Sequence, residues 1–301
     1  MRPAAFLPPG FSLFPMTTPS SSRLGLVLEG GGFRAHYTAG VLDVLIDEKL
    51  PIEGVIGVSM GAIHGASFVS GQKGRSLEIY TRYAADERLW SLWRWVRTGN
   101  LIDPTFCYRE IPDRLVPFDE EAFENSGKAF YACASNLETG RPEYLRLPNL
   151  TDDIDGLRAS ASLPYVSPAV EFRGMKLLDG GCTDRIPLAA FERMGFTHNI
   201  VIQTHPREHA VRDRDAWAAK WWYAKYPKFV ESFQKSPEVY EATQRLIDER
   251  VKEGRVFSIR PERPIPVGRL SRDPEDVRRA YGLGVKDAQK ALPALLQWVN
   301  Q

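Results

Sequence analysis

The apolar positions of this chain fall into short blocks with two rhythms. Leu24-Gly25-Leu26-Val27-Leu28 is a continuous apolar run. It is too short for a helix and is followed by a charge and glycines, so it reads as a buried strand. From Tyr37 to Glu48 the rhythm is helical. Val41, Leu42, Val44, Leu45 and Ile46 make one face, with Asp43, Asp47 and Glu48 mostly off it. Pro51 closes that helix, and Ile52 to Ile56 reads as a second strand. The small residues from Ala62 to Val69 read as a helix again. Strand, helix and strand with short connections imply a right-handed crossover and two neighbouring parallel strands. Their carboxyl ends then lie on one edge of the sheet.

Further along, Ala129 to Ser135 reads as a strand and Asp155 to Ser162 as a short helix ended by Pro164. Val170-Glu171-Phe172 and Met175 to Leu178 flank Arg173-Gly174 as a hairpin. Asn199 to Gln203 and Val256 to Ile259 read as strands. Residues 215–253 and the C-terminal stretch after a proline-rich link read as helical. No internal repeat interrupts this order, and the whole pattern is that of an α/β protein.

Two glycine-rich segments sit where the two strands end. Gly57-Val58-Ser59-Met60-Gly61 is a G-x-S-x-G pentapeptide between a strand and a helix. Glycines permit a sharp turn there, and the serine hydroxyl points out near a helix N-terminus, as an activated nucleophile requires. An ordinary capping serine would fit the same five residues. Gly30-Gly31-Gly32 follows the first strand, and its backbone N–H groups can converge on an anion. A dinucleotide reading fails, because Ala35 stands at the last glycine position and no acid ends the second strand. An oxyanion hole fits instead. Asp179-Gly180-Gly181 ends the hairpin. An aspartate held close to a serine hydroxyl can act directly as its base.

Together these blocks resemble the patatin-like phospholipase family. Gly30 to Arg34, Gly57 to Gly61 and Asp179 to Gly181 match its signatures in order, and Arg158 to Pro164 resembles the stretch ahead of its aspartate. The likeness covers roughly Leu24 to Pro187. It implies a three-layer α/β/α sandwich with a mainly parallel central sheet, and lipid acyl-ester hydrolysis without metal or cofactor. It also implies a Ser–Asp dyad: Ser59 as nucleophile and Asp179 as general base. Gly30, Gly31 and Gly32 would form the oxyanion hole, and Arg34 would support the loop or meet an anionic group. The expected organisation is a disordered leader over 1–22 and one hydrolase domain over 23–301. Its core motifs lie in 24–187 and its aromatic-rich helical part in 215–301.

Other readings use the same residues. Ser59, Asp179 and His205 stand in the chain order of an α/β-hydrolase triad. An acyl-enzyme could also pass its acyl group to an alcohol, as an acyltransferase does. His36 and His64 read as structural or solvated, and 207–215 as a solvated charged loop. The tryptophans at 217–222 read as rings packed over the core. Those at 90–95 stand open between core packing and a lipid-facing lid.

Composition narrows the picture. With 301 residues and 43% hydrophobic content the chain can bury a sizeable core. A formal net charge of +1 excludes the global field expected of a nucleic-acid binder. Three scattered cysteines exclude a disulfide framework and point to a reducing, cytoplasmic setting. No apolar run reaches a membrane span. The expected partners are a lipid or other acyl ester and, peripherally, a membrane surface.

Overall fold

The computed structural model describes residues 23–208, 216–268 and 271–301. The leader expected over 1–22 and most of the charged loop expected over 207–215 lie outside the described residues. In chain order the strands are β1 (Leu24–Leu28), β2 (Gly54–Val58), β3 (Ala129–Asn136), β4 (Pro142–Arg146), β5 (Val170–Phe172), β6 (Met175–Asp179), β7 (His198–Ile202) and β8 (Val256–Ile259). The helices are α1 (His36–Glu48), α2 (Met60–Val69), α3 (Arg75–Tyr83), α4 (Leu92–Thr98), α5 (Glu120–Glu124), α6 (Leu150–Ser160), α7 (Leu188–Arg193), α8 (Ala219–Trp222), α9 (Pro227–Gln234), α10 (Ser236–Lys252) and α11 (Pro274–Val299).

All eight strands form one sheet whose pairing path is β5-β6-β3-β2-β1-β7-β8, with β4 also on β3. Pairs along β3-β2-β1-β7-β8 are parallel, and β4, β5 and β6 join antiparallel. The central strands are buried on both faces, as continuous apolar runs require. Leu26, Leu28, Val55, Ile200 and Ile202 face the core under α1, α2 and α11. Val27, Ile56 and Val201 face the core under α7 and α10. The result is the three-layer α/β/α sandwich with a mainly parallel sheet.

Helix α1 lies along α11 at close range. A Cβ on Gly40 would sit 2.1 Å from the Tyr281 carbonyl oxygen, and one on Gly284 would sit 2.0 Å from that of Tyr37. The crossing is tied by Tyr37 Oη donating to Asp287 Oδ2 at 3.0 Å and Tyr281 Oη to Asp43 Oδ2 at 2.7 Å. Asp43 is therefore buried rather than off the packed face.

The register of β3 positions the chemistry. Cys133 pairs with Val58 of β2 on one edge and Tyr144 of β4 on the other. Ala134 pairs with Glu143 of β4 and Asp179 of β6. Each edge of a strand takes one partner at a given residue, so β2 and β6 share the edge opposite β4. They run toward each other and end at adjacent positions of β3. The residue after β2 is Ser59, and the last residue of β6 is Asp179.

Candidate active site

Ser59 occupies the bend between β2 and α2 with φ 55° and ψ −129°. A non-glycine residue held there stores about 1–3 kcal/mol of strain and needs neighbours that enforce it. The Ser59 N–H donates to Ser160 Oγ at 2.9 Å, and Ser160 Oγ donates to the Cys133 carbonyl at 2.6 Å. Gly61 lets α2 begin against the end of β1, because a Cβ there would lie 2.6 Å from the Glu29 carbonyl oxygen.

Asp179 is buried and held along its whole backbone. Its N–H donates to the Ser162 carbonyl at 2.8 Å, and its own carbonyl accepts from Ser135 Oγ at 2.8 Å. Its Oδ1 accepts the Gly181 N–H at 2.7 Å, which caps the short 3-10 turn Gly180–Cys182. Gly180 is required here: a Cβ would stand 2.3 Å from the Cys133 carbonyl oxygen. One carbonyl of β3 thus meets both Ser160, which holds the serine elbow, and Gly180, which follows the aspartate.

The glycine loop borders the same elbow. A Cβ on Gly30 would lie 3.3 Å from Ser59 Cβ. Among the described residues no acceptor takes the N–H groups of Gly30, Gly31 or Gly32. The Ser59 N–H is already committed to Ser160, so the loop supplies the open donors beside the serine. Arg34 lies in the 3-10 turn Gly32–Ala35 that continues the loop and is half-buried.

A buried polar group stands behind the loop. Glu29 directly follows β1 and is 1% exposed. Its Oε2 accepts the Thr204 N–H at 2.5 Å and its Oε1 meets His205 Nδ1 at 3.0 Å. Thr204 Oγ1 donates to the Gly30 carbonyl at 3.2 Å. Burial pushes the Glu29 carboxyl up, but hydrogen bonds from His205, Thr204 and Tyr240 outweigh it and hold it below the usual range. The carboxylate therefore fixes the segment after β7 against the start of the loop. Sequence reading missed Glu29 and Thr204. The available signal was a charged residue ending an otherwise apolar strand run.

These contacts bear on the triad reading. His205 Nδ1, the nitrogen that an orienting carboxylate would hold, meets Glu29 Oε1. Neither His205 nor Asp179 is among the residues that line the cavity Ser59 enters.

That cavity has a volume of about 190 Å³ and runs from Ser59, Gly32 and Phe33 between α2, α3 and α6. Its wall is mainly aliphatic and aromatic, including Ile63, Ile79, Leu101, Ile154 and Leu163. Burial pushes the Tyr108 hydroxyl on this wall well up, and the Asp179 charge adds to the effect. A serine at the end of an apolar channel suits an acyl chain, whose methylenes each gain about 0.8 kcal/mol on leaving water.

The histidines His36 and His64 are structural: both are buried and their rings pair at 5.2 Å beneath Phe33 and Tyr80. The tryptophans overturn one expectation. Trp217, Trp221 and Trp222 are exposed rather than packed over the core. It is Tyr223, Phe229 and Phe233 of the same region that fill a core cluster against Leu178. At 90–95 the rings divide: Trp90 lines the cavity and Trp93 is exposed.

Fold and site together define a class: a three-layer α/β/α protein with a serine on a strand-to-helix elbow beside a glycine loop. Comparison with known proteins supplies the family. The family model described as patatin-like phospholipase matches residues 26–192, and a domain of unknown function (DUF6363) matches residues 226–300. The uncharacterized protein YjjU of Escherichia coli K12 is 30% identical over 275 residues, covering 87% of this chain and 75% of that protein. The lysophospholipase nte1 of Aspergillus terreus is 29% identical over 180 residues, covering 57% of this chain but 11% of that protein. The lysophospholipase NTE1 of Candida albicans is 27% identical over 201 residues, covering 61% of this chain and 13% of that protein. The chain belongs to the patatin-like phospholipase family, and so to the lipid hydrolases.

Proposed function

We propose that the protein hydrolyses acyl esters of lipids through a Ser59–Asp179 dyad with the glycine loop as oxyanion hole. The observation that carries this reading is the meeting of β2 and β6 on one edge of β3, where Val58, the residue before Ser59, and Asp179 take adjacent register positions. Asp179 takes the proton of Ser59 as Oγ bonds to the ester carbonyl carbon. The carbonyl oxygen becomes an oxyanion and is met by the open N–H groups of Gly30, Gly31 and Gly32. The tetrahedral intermediate collapses, the ester C–O bond breaks, and the alcohol leaves with the proton from Asp179. Water, deprotonated by Asp179, then cleaves the acyl-enzyme and regenerates Ser59. The apolar cavity holds the acyl chain. Relatives described as lysophospholipases support single-chain phospholipids as the first substrates to assay.

A fluorophosphonate probe is expected to label Ser59 in the folded protein and to leave Ser59→Ala unlabelled. Asp179→Asn is expected to lower labelling and fatty-acid release by about 10²–10⁴, the usual worth of a general base. An unlabelled wild type would overturn the reading. Acyl transfer to an added alcohol in place of fatty-acid release would move the protein to the acyltransferases.

A further inference from the structure

Six large apolar side chains among the described residues are more than half exposed. They are Leu92, Trp93 and Val96 on α4, and Trp217, Trp221 and Trp222 in the turn and short helix at 216–222, with exposures from 61% to 79%. Rings of this size are rarely left so open without a partner surface. The two groups are far apart in sequence but flank one residue. Trp95 Nε1 donates to the Tyr165 carbonyl at 3.0 Å, and Trp222 packs edge-on to the Tyr165 ring at 5.9 Å. Tyr165 is itself strained, with φ 69°, and its N–H donates to Tyr223 Oη at 2.9 Å. Its neighbours Leu163 and Val166 line the cavity that Ser59 enters, so the exposed face and the channel share a wall.

The segments that carry these side chains are rich in cations. Residues 88–102 and 216–230 contain Arg88, Arg94, Arg97, Lys220, Lys225 and Lys228 and no acidic residue. The whole chain balances to +1, so this is a local concentration. Arg88 pairs with Asp86 and Glu110, and Arg94 with Asp103. Arg97, Lys220, Lys225 and Lys228 make no ion pair among the described residues. Open indole rings between unpaired cations match the boundary of an anionic bilayer, where rings sit at headgroup depth and cations meet lipid phosphates. A second copy of the chain would instead set cations against cations.

We propose that α4 and the 216–228 segment form a docking face for anionic lipid bilayers, which sets the cavity wall at Leu163 and Val166 against the membrane. The assignment rests on the lipid-hydrolase reading for its purpose, but docking is a binding event and can be read without turnover. The test is co-sedimentation of full-length Ser59→Ala with phosphatidylcholine vesicles, with and without added phosphatidylglycerol. Binding to the anionic vesicles alone is expected, with a blue shift of tryptophan fluorescence and weakening by salt. Trp93→Ala/Trp221→Ala/Trp222→Ala is expected to lower the partition coefficient at least about tenfold. Lys220→Gln/Lys225→Gln/Lys228→Gln is expected to lower it roughly fivefold per charge. Each set, made in the wild-type background as well, should keep its unfolding transition and its labelling by the soluble fluorophosphonate.

Absence of binding to anionic vesicles, or variants that bind like the parent, would overturn the proposal. So would a concentration-dependent dimer that the tryptophan variant abolishes and vesicles do not compete. Intact labelling without docking removes this proposal alone, whereas docking without labelling removes the hydrolase reading alone.

Discussion

At the scale of single residues, Glu29 marks the difference between what the chain spells out and what only folding assembles. Ser59 and the triple glycine are legible because their chemistry is written in neighbours within a few positions. Glu29 has its meaning from Thr204 and His205, which arrive just after β7 from the far half of the chain. Glu29→Gln keeps the volume but replaces a charged acceptor that three donors share. It is expected to lower kcat about tenfold with little change in KM for a soluble ester, because the proposed oxyanion loop beside Ser59 loosens. His205→Ala should fall in the same range. A loss with His205→Ala as large as with Ser59→Ala would restore the triad in place of the dyad.

At the scale of elements, the parallel strands and the β5–β6 hairpin are legible from apolar runs and from Arg173-Gly174 at the turn. The elements that escaped are those whose sequence carries little pattern. Only Leu145 is buried along β4, an edge strand that pairs with β3 alone. The π-helical stretch Phe106–Leu115 has Pro112 inside it and buries only Phe106 and Ile111, so no helical period stands out. Strand β3 has the opposite character, since its register decides the site. Gly180→Ala would drive a Cβ into the Cys133 carbonyl and part β6 from β3. The expected result is about 1–3 kcal/mol of lost stability in urea unfolding together with a disproportionate loss of esterase activity. A variant that lost stability and kept its activity would show that the β3–β6 register does not position Asp179.

At the scale of the whole molecule, overall charge and hydrophobic content described the sandwich well and its surface poorly. A balance of +1 conceals the cationic face around α4 and α8, because acids elsewhere cancel it. Stability against pH is also a property of the whole. Burial lowers the imidazole of His36 well below 6.5 and that of His64 to about 3. Both rings stay neutral in the folded protein while the unfolded chain takes up protons below 6.5. Stability is therefore complete above pH 6.5 and declines as pH falls toward 3, by up to about 1.4 kcal/mol per pH unit for each ring. Urea midpoints measured between pH 7 and pH 5 should show that slope, and His36→Gln/His64→Gln should flatten it. An unchanged slope would mean that other groups govern the acid side. The head-to-head ends of β2 and β6 have a last consequence. Ser59 and Asp179 are both indexed by the pair Cys133–Ala134, while most of the channel wall comes from residues 60–120 and 150–167. Wall positions that hold neither residue, such as Ile63, Ile79, Leu101 and Ile154, can thus be changed to retune the channel without re-aiming Ser59 and Asp179. The molecule divides into a frame, to which Gly61, Ser160 and Ser162 belong, and an exchangeable mould, and a library confined to the mould should change what is cleaved and leave intact the ability to cleave.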